Sequence, residues 1–379
     1  MKIAVDTRSL GARQPGGCAL FLEEVLKRLT RLRPSDEFIF VSDKTTPEAA
    51  INEPNVIAIR TGPGGRHRLA LKWWLDISLP SLLKKHAVDV FVSGEKACSL
   101  KTSIPQCLLL HDLSHTCMPS MLTKAELGFY KKFMSRFVEK AARIITISEF
   151  SRREISTQYP LAHDKIDVVY KGVKEIFHPL APEETYLLRD QYTNGKNYFI
   201  YVGPVHARKN LQNLLKAFSI FKKRQKSDWK LMLTGRRQDD NESFTKSLPS
   251  YKYRDDLVLT GYVEERLLAR LIGSAYALVQ PSRCEGFGVA VLEAMRCKVP
   301  VVTGRDSAME EMTGDAAMIS DTLSHEDMAD KMMMLYKDES LRDRLIEKGR
   351  SISEGYDWER TAGLVWDSIE KAAASKVKR

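Results

Sequence analysis

At 379 residues the chain is too long for one ordinary hydrophobic core, so two domains are expected. With 43% hydrophobic and 28% charged residues it has the composition of a soluble globular protein, and no apolar run approaches the ~20 residues that cross a bilayer. The net charge of +10 sits mainly in residues 1–172, which hold 26 Lys and Arg against 18 Asp and Glu, while the remainder is near balance at 33 against 31.

Strand-like runs then alternate with helical stretches. Lys2–Asp6, Glu37–Ser42, Val56–Ile59, Val88–Ser93, Gln106–His111 and Arg143–Ser148 form a first series, which predicts βαβ units and a parallel sheet. After the first strand, the loop Thr7–Gly17 enters an apolar-periodic helix from about Ala19 to Leu32. Gly16 and Gly17 at its entrance let a ligand approach the backbone closely. There is no G-x-G-x-x-G, which argues against a dinucleotide oxidoreductase. The segment Arg66–Pro80 is basic and carries Trp73 and Trp74. Leu69, Trp73 and Ile77 fall at helical spacing and read first as a core stripe, with membrane or partner contact as the alternative. His111, at the carboxyl end of a strand, is placed to project toward a ligand cleft, whereas His115 reads as a surface or loop residue. Ser148 and Ser151 read as caps of the helix that follows.

Gly and Pro interrupt the pattern across Tyr170–Pro179, the expected crossover between domains. A second series follows at Tyr198–Gly203, Lys230–Gly235, Leu257–Gly261, Tyr276–Gln280 and Val299–Thr303. Arg208 and Lys209 immediately precede a helix starting at Leu211, which Asn210 is placed to cap. Two cations beside a helix N-terminus form an anion trap. His206, in the same loop, reads as a bystander. The run Ala275–Gln280 predicts a buried strand, Glu285-Gly286-Phe287-Gly288 a tight turn, and Val289–Cys297 a helix. Such a turn leaves helix N-terminal amides for a phosphate or sugar oxygen. A phosphate alone has no need of Glu285 and Glu293, but the hydroxyl donors of a sugar nucleotide do.

Pro-Ser-x-x-Glu-Gly-Phe-Gly-x-x-x-Leu-Glu-Ala-Met, with its two glutamates eight positions apart, resembles the signature of retaining glycosyltransferases of the GT-B fold, family GT4 in particular. Gly16-Gly17, His111-Asp112-Leu113, Ser148-x-x-Ser151, Arg208-Lys209-Asn210, Gly261-Tyr262-Val263 and Tyr356-Asp-Trp-Glu-Arg360 resemble further motifs of that family. Where relatives carry Asn-Gly, this chain departs with Lys171-Gly172. The resemblance implies an α/β protein of two Rossmann-like domains facing each other across a cleft. Residues 1–172 would bind the acceptor, 173–355 the nucleotide sugar, and 356–379 would form a helix crossing back to the first domain. It implies catalytic roles for His111, Arg208, Lys209 and Glu285. His111 would contact the donor sugar or shape the acceptor pocket, and Arg208 and Lys209 would hold the donor phosphates. Gly16, Gly17, Gly203, Tyr262, Val263, Gly286, Phe287, Gly288, Val289 and Glu293 would bind the donor, Glu293 through its ribose.

The activity so implied is retaining transfer of a hexose from a nucleotide-diphosphate sugar, with a lean to GDP-mannose, to a saccharide or lipid-linked acceptor in cell-surface glycan synthesis. No cofactor is expected, and no metal, since the sequence has no Asp-x-Asp. A sugar-nucleotide epimerase or phosphorylase of similar architecture, or a non-catalytic sugar-nucleotide-binding protein, are the alternatives. The six cysteines (18, 98, 107, 117, 284 and 297) lack metal or C-x-x-C spacing and read as free thiols of a reducing cytosol. The opening strand leaves no room for a leader peptide. The basic first half suggests an anionic acceptor or attachment to the inner face of a membrane, and no motif supports nucleic acid.

Overall fold

A computed structural model describes the chain except residues 11–15, 44–50, 63–67, 120–121, 237–241, 284 and 376–379, and the side chains of Ser114, Cys117, Ala207, Glu242 and Ser243. The predicted loop residues 11–15, Arg66 and Cys284 therefore lie outside the described residues, as does the Cys117 side chain. The chain divides into two compact units, one of Met1–Gly172 with the segment from Trp358 onward, the other of Val173–Asp357.

The first unit holds a seven-stranded parallel sheet: β1 (Lys2–Asp6), β2 (Glu37–Ser42), β3 (Val56–Arg60), β4 (Val90–Ser93), β5 (Gln106–Leu109), β6 (Arg143–Thr146) and β7 (Ile166–Val168), in the order β3-β2-β1-β4-β5-β6-β7. The second holds six parallel strands: β8 (Tyr198–Val202), β9 (Lys230–Thr234), β10 (Leu257–Gly261), β11 (Ala277–Gln280), β12 (Val301–Gly304) and β13 (Met318–Ser320), in the order β10-β9-β8-β11-β12-β13. Parallel strands covered by helices on both faces are apolar throughout, and every residue of β4, β5, β11 and β12 is buried. β7 and β13, which the sequence pattern did not reveal, are three-residue edge strands, too short to show a period.

The helix Trp358–Ala374 buries Trp358, Ala362, Val365, Trp366 and Ile369 along one stripe, against the helix Gly17–Leu32 and strands β4 to β6. Thr361 Oγ1 donates to the Tyr170 carbonyl at 2.8 Å, and Arg28 pairs with Glu359 at 2.9 Å.

The Trp-rich segment corrects an expectation. It runs as helix Arg68–Trp73, a π-helical turn Trp74–Ser78, and helix Leu79–Lys85. Leu69, Trp73 and Ile77 are 76%, 46% and 52% exposed, so they are not core. The segment has a second apolar row, Leu71, Leu75, Leu79 and Leu83, with Trp74 beside it. That longer row carries more apolar surface and takes the buried side.

Candidate active site

In each sheet the strand order reverses between neighbours, β1/β4 in the first and β8/β11 in the second. Loops leaving the carboxyl ends of such strands diverge and open a crevice, the usual ligand position in open α/β sheets. In the second unit those loops carry Arg208 and Lys209 after β8, and Glu285 after β11. Arg283 N donates to the Arg208 carbonyl at 3.0 Å and ties the two loops together.

Arg208 Nη1 donates to Glu285 Oε2 at 3.0 Å, and Lys209 Nζ donates to the same oxygen. Two cations on one carboxylate leave a net positive charge. Lys209 is only 5% exposed. Burial lowers its ammonium pKa; Glu285 opposes this shift and Arg208 adds to it. His206 is no bystander. It is buried, and its Nδ1 accepts from Arg208 N at 3.2 Å, which shapes the cation loop.

Two helices start at this place without a side-chain cap. Asn210 precedes Leu211–Gln225 but has a left-handed backbone (φ 59°), whereas a capping side chain requires an extended one. Its amide instead donates to the Thr322 carbonyl at 2.7 Å, beside that of Asn213 at 3.1 Å. Gly288, at φ 84°, opens Val289–Arg296; a Cβ there would lie 2.4 Å from Met309 Cγ, so this turn requires glycine. Gly203 has φ 141°, and a Cβ on it would press on the Tyr201 hydroxyl at 2.9 Å.

Glu293, on the helix that begins at Val289, is 9% exposed. Burial pushes its carboxyl up to about 8, with Glu265 adding and Lys174 opposing; Lys174 and Glu265 pair at 2.9 Å. Phe287 is buried, its ring 6.3 Å from that of Tyr356, and Gly286 is half-buried. Val289 and Tyr262 are exposed, Val263 is half-buried, and the Arg236 guanidinium lies 4.5 Å over the Tyr262 ring.

In the first unit Gly16 and Gly17 are exposed at the start of the helix Gly17–Leu32. A Cβ on Gly16 would meet nothing within 4 Å, so neither packing nor backbone conformation demands glycine there. Lys171, where the family pattern has Asn, donates to the Gly17 carbonyl at 3.1 Å. His111 lies just past β5 and is buried, its Nδ1 3.1 Å from Cys18 Sγ and its ring edge-on to Phe21 at 4.9 Å. Ser148 caps the helix Glu149–Gln158 as expected, but Ser151 does not cap. Its hydroxyl donates to the His111 carbonyl at 2.9 Å. His115 is also buried, 3.2 Å from the Tyr159 hydroxyl, because a short helix turns it inward.

The family model described as "Glycosyl transferases group 1" matches residues 188–352, and that described as "Glycosyltransferase Family 4" matches residues 15–175. The chain belongs to the GT4-type glycosyltransferases. It is 27% identical over 250 residues to O-antigen chain mannosyltransferase B of Escherichia coli, a match covering 66% of each chain. It is 29% identical over 243 residues to D-inositol 3-phosphate glycosyltransferase of Arthrobacter sp. (strain FB24), covering 62% of this chain and 57% of the relative. The matches thus span 66% and 57% of those relatives' own length, less than two thirds of each. The sucrose-phosphate synthase of Thermosynechococcus elongatus shares the fold, with a TM-score of 0.80 at 16% identity over 99% of each chain. The architecture is that of the GT-B glycosyltransferases, two Rossmann-like domains.

Residue patterns gave Ser151 only a capping role and Lys171 only a departure from the family pattern, and assigned no site role to Cys18, Lys174 or Glu265. Each acts through a partner distant in the chain, although the place of Cys18 in the second position of a glycine-led helix was a usable signal. Among the described residues Cys18, Cys98, Cys107 and Cys297 are free thiols.

Proposed function

We propose that this GT4-type protein is a retaining, metal-independent hexosyltransferase that takes a nucleotide-diphosphate sugar, with mannose from GDP-mannose as the lean, to a saccharide or lipid-linked acceptor of a cell-surface glycan. The observation that carries the reading is the Arg208–Lys209–Glu285 cluster beside two uncapped helix starts at the β8/β11 reversal. The name of the Escherichia coli relative supports mannose and a surface glycan.

Breaking the anomeric bond builds positive charge on the sugar and negative charge on the departing β-phosphate. Arg208 and Lys209 stabilise that phosphate, and such preorganised charge is usually the largest catalytic contribution. An arriving diphosphate competes with Glu285 for Lys209 and frees the carboxylate to accept from sugar hydroxyls. The acceptor oxygen bonds to the anomeric carbon on the face the phosphate leaves, and its proton passes to a phosphate oxygen. No protein nucleophile is required. His111 contacts the donor sugar. The backbone at Tyr262 and Val263 meets the base. A thermal-shift panel of GDP, UDP and ADP sugars tests the reading: the right donor at ~100 times its dissociation constant adds about 2.7 kcal/mol. Equal melting with every nucleotide sugar contradicts it.

Glu293 holds the ribose hydroxyls. Without ligand its carboxyl is protonated at neutral pH, but two hydroxyl donors favour the carboxylate. Donor binding therefore releases a proton, and affinity rises with pH until about 8, by up to about tenfold per unit. Calorimetry in buffers of different ionisation enthalpy measures that release. Glu293→Gln should abolish it; a wild-type protein that binds donor with no proton released excludes this role.

The work site is the surface of an anionic membrane. Among the described residues no helix is long and apolar enough to cross a bilayer. Trp73, Leu69 and Ile77 are exposed in one row that continues to the exposed Lys84 and Lys85, and Lys72, Lys132 and Arg136 surround the Phe133 ring at 5.1, 5.4 and 6.0 Å. Apolar insertion and cationic attraction together hold a peripheral protein. Vesicles containing anionic lipid should bind the protein and release it at high salt, and Trp73→Ala should weaken binding. Equal partition to neutral and anionic vesicles, or none to either, would sink this placement.

A further inference from the structure

Cys18 is the second residue of the helix Gly17–Leu32, and its Sγ lies 3.1 Å from His111 Nδ1. The imidazole is held on several sides. Phe21, one turn further along the helix, meets the ring edge-on at 4.9 Å and 88°, and Ser151 Oγ pins the His111 carbonyl at 2.9 Å. The residue is 2% exposed, and Nε2 makes no hydrogen bond among the described residues.

A neutral imidazole has one N–H and one lone pair, and the neighbour of one nitrogen decides where the proton sits. A thiol is a weak donor and a weaker acceptor, whereas an imidazole lone pair is a good acceptor. The favoured arrangement is therefore S–H donating to Nδ1, which leaves the proton on Nε2. We propose that Cys18 is a positioning residue that fixes His111 in this tautomer, so that the ring offers a ligand oxygen a buried N–H donor at Nε2 and does not act there as a base. This rests on the reading that His111 contacts the donor sugar.

The charged surroundings agree with a neutral pair. Burial lowers the His111 pKa well below its ordinary value; Lys171 and Lys96 act in the same direction and Asp112 opposes them. Burial raises the Cys18 thiol, with Asp112 and Glu95 adding and Lys171 and Lys96 opposing, so the S–H is retained at neutral pH. A buried N–H without a partner is costly, and a sugar oxygen arriving at Nε2 removes that cost in the bound state.

Two-bond proton–nitrogen NMR of isotope-labelled histidine reads the tautomer directly, with His111 picked out of the eight histidines by the signal lost in His111→Gln. The wild-type protein at neutral pH should show Nδ1 unprotonated and Nε2 protonated. Cys18→Ser should keep that pattern, because a hydroxyl also donates to Nδ1. Cys18→Ala should mix the tautomers and raise the His111 pKa. In parallel, Cys18→Ala should lower kcat/KM roughly tenfold, the scale of one hydrogen bond, and move the acid limb to higher pH, with Cys18→Ser restoring both. A protonated Nδ1 in the wild-type protein overturns the proposal. So does a Cys18→Ala protein with unchanged tautomer and unchanged pH profile, provided it still turns over donor. Undiminished turnover in His111→Gln would instead overturn the reading of His111 as a donor contact, and the NMR result separates the two failures.

Discussion

Lys209→Ala should lower turnover by roughly 10²–10³, the cost typical of losing one preorganised donor to developing charge. The structure adds a second effect that a solvated lysine would not have. Lys209 is 5% exposed and donates to Glu285 Oε2, so its removal takes one of the two cations away from that carboxylate. A loss of about 2 kcal/mol in folding stability is expected, on the scale of a hydrogen bond between charged groups. Steady-state kinetics with saturating donor, alongside urea denaturation, separates the two effects. Near-wild-type turnover would remove Lys209 from the chemistry. A double change, Lys209→Met with Glu285→Gln, should recover much of the stability and none of the turnover, because it removes both charges of the pair together.

A comparable stability effect is expected from the paired tryptophans, and it should fall on one of them only. Trp74 is fully buried, donates through Nε1 to the Thr61 carbonyl at 2.9 Å, and has the Arg8 guanidinium 4.2 Å over its ring. Trp74→Ala should cost about 3–5 kcal/mol, the range for truncating a large buried side chain. Trp73, 46% exposed, should change stability by no more than about 0.5 kcal/mol on the same truncation. Denaturant midpoints of the two variants measure this difference. A larger loss at Trp73 than at Trp74 would mean that the row Leu69, Trp73, Ile77 is the buried one after all.

Much of the architecture was legible because parallel strands buried on both faces are written as short apolar runs, as in Ala277–Gln280 and Val301–Gly304. Two features defeated that reading for physical reasons. β7 and β13 are three residues long, below any period. In the segment 68–85, two apolar rows at four-residue spacing competed, and periodicity alone cannot rank them. The positions of Arg208, Lys209, Glu285 and Glu293 followed from their strand-turn-helix contexts, but their environments did not. Lys209 meets a carboxylate 76 positions away, so its burial is a property of two loops brought together by the sheet. Asn210 has a capping side chain at a capping position, yet its left-handed backbone sends the amide to Thr322. Ser151 and Ser148 have the same composition signal, and only the packing of Ser151 under His111 distinguishes their roles.

The central claim, that the cations at the β8/β11 reversal neutralise a departing phosphate during sugar transfer, is tested most directly by nucleotide release. The purified protein is incubated with GDP, UDP and ADP sugars, with and without acceptor, in EDTA, and free nucleoside diphosphate is measured. Release from one donor that continues in EDTA, rises with acceptor and falls by roughly 10²–10³ in Lys209→Ala is the expected result. Donor bound without consumption, donor converted to its epimer with the diphosphate still attached, or release that requires added Mg²⁺ or Mn²⁺ would contradict it.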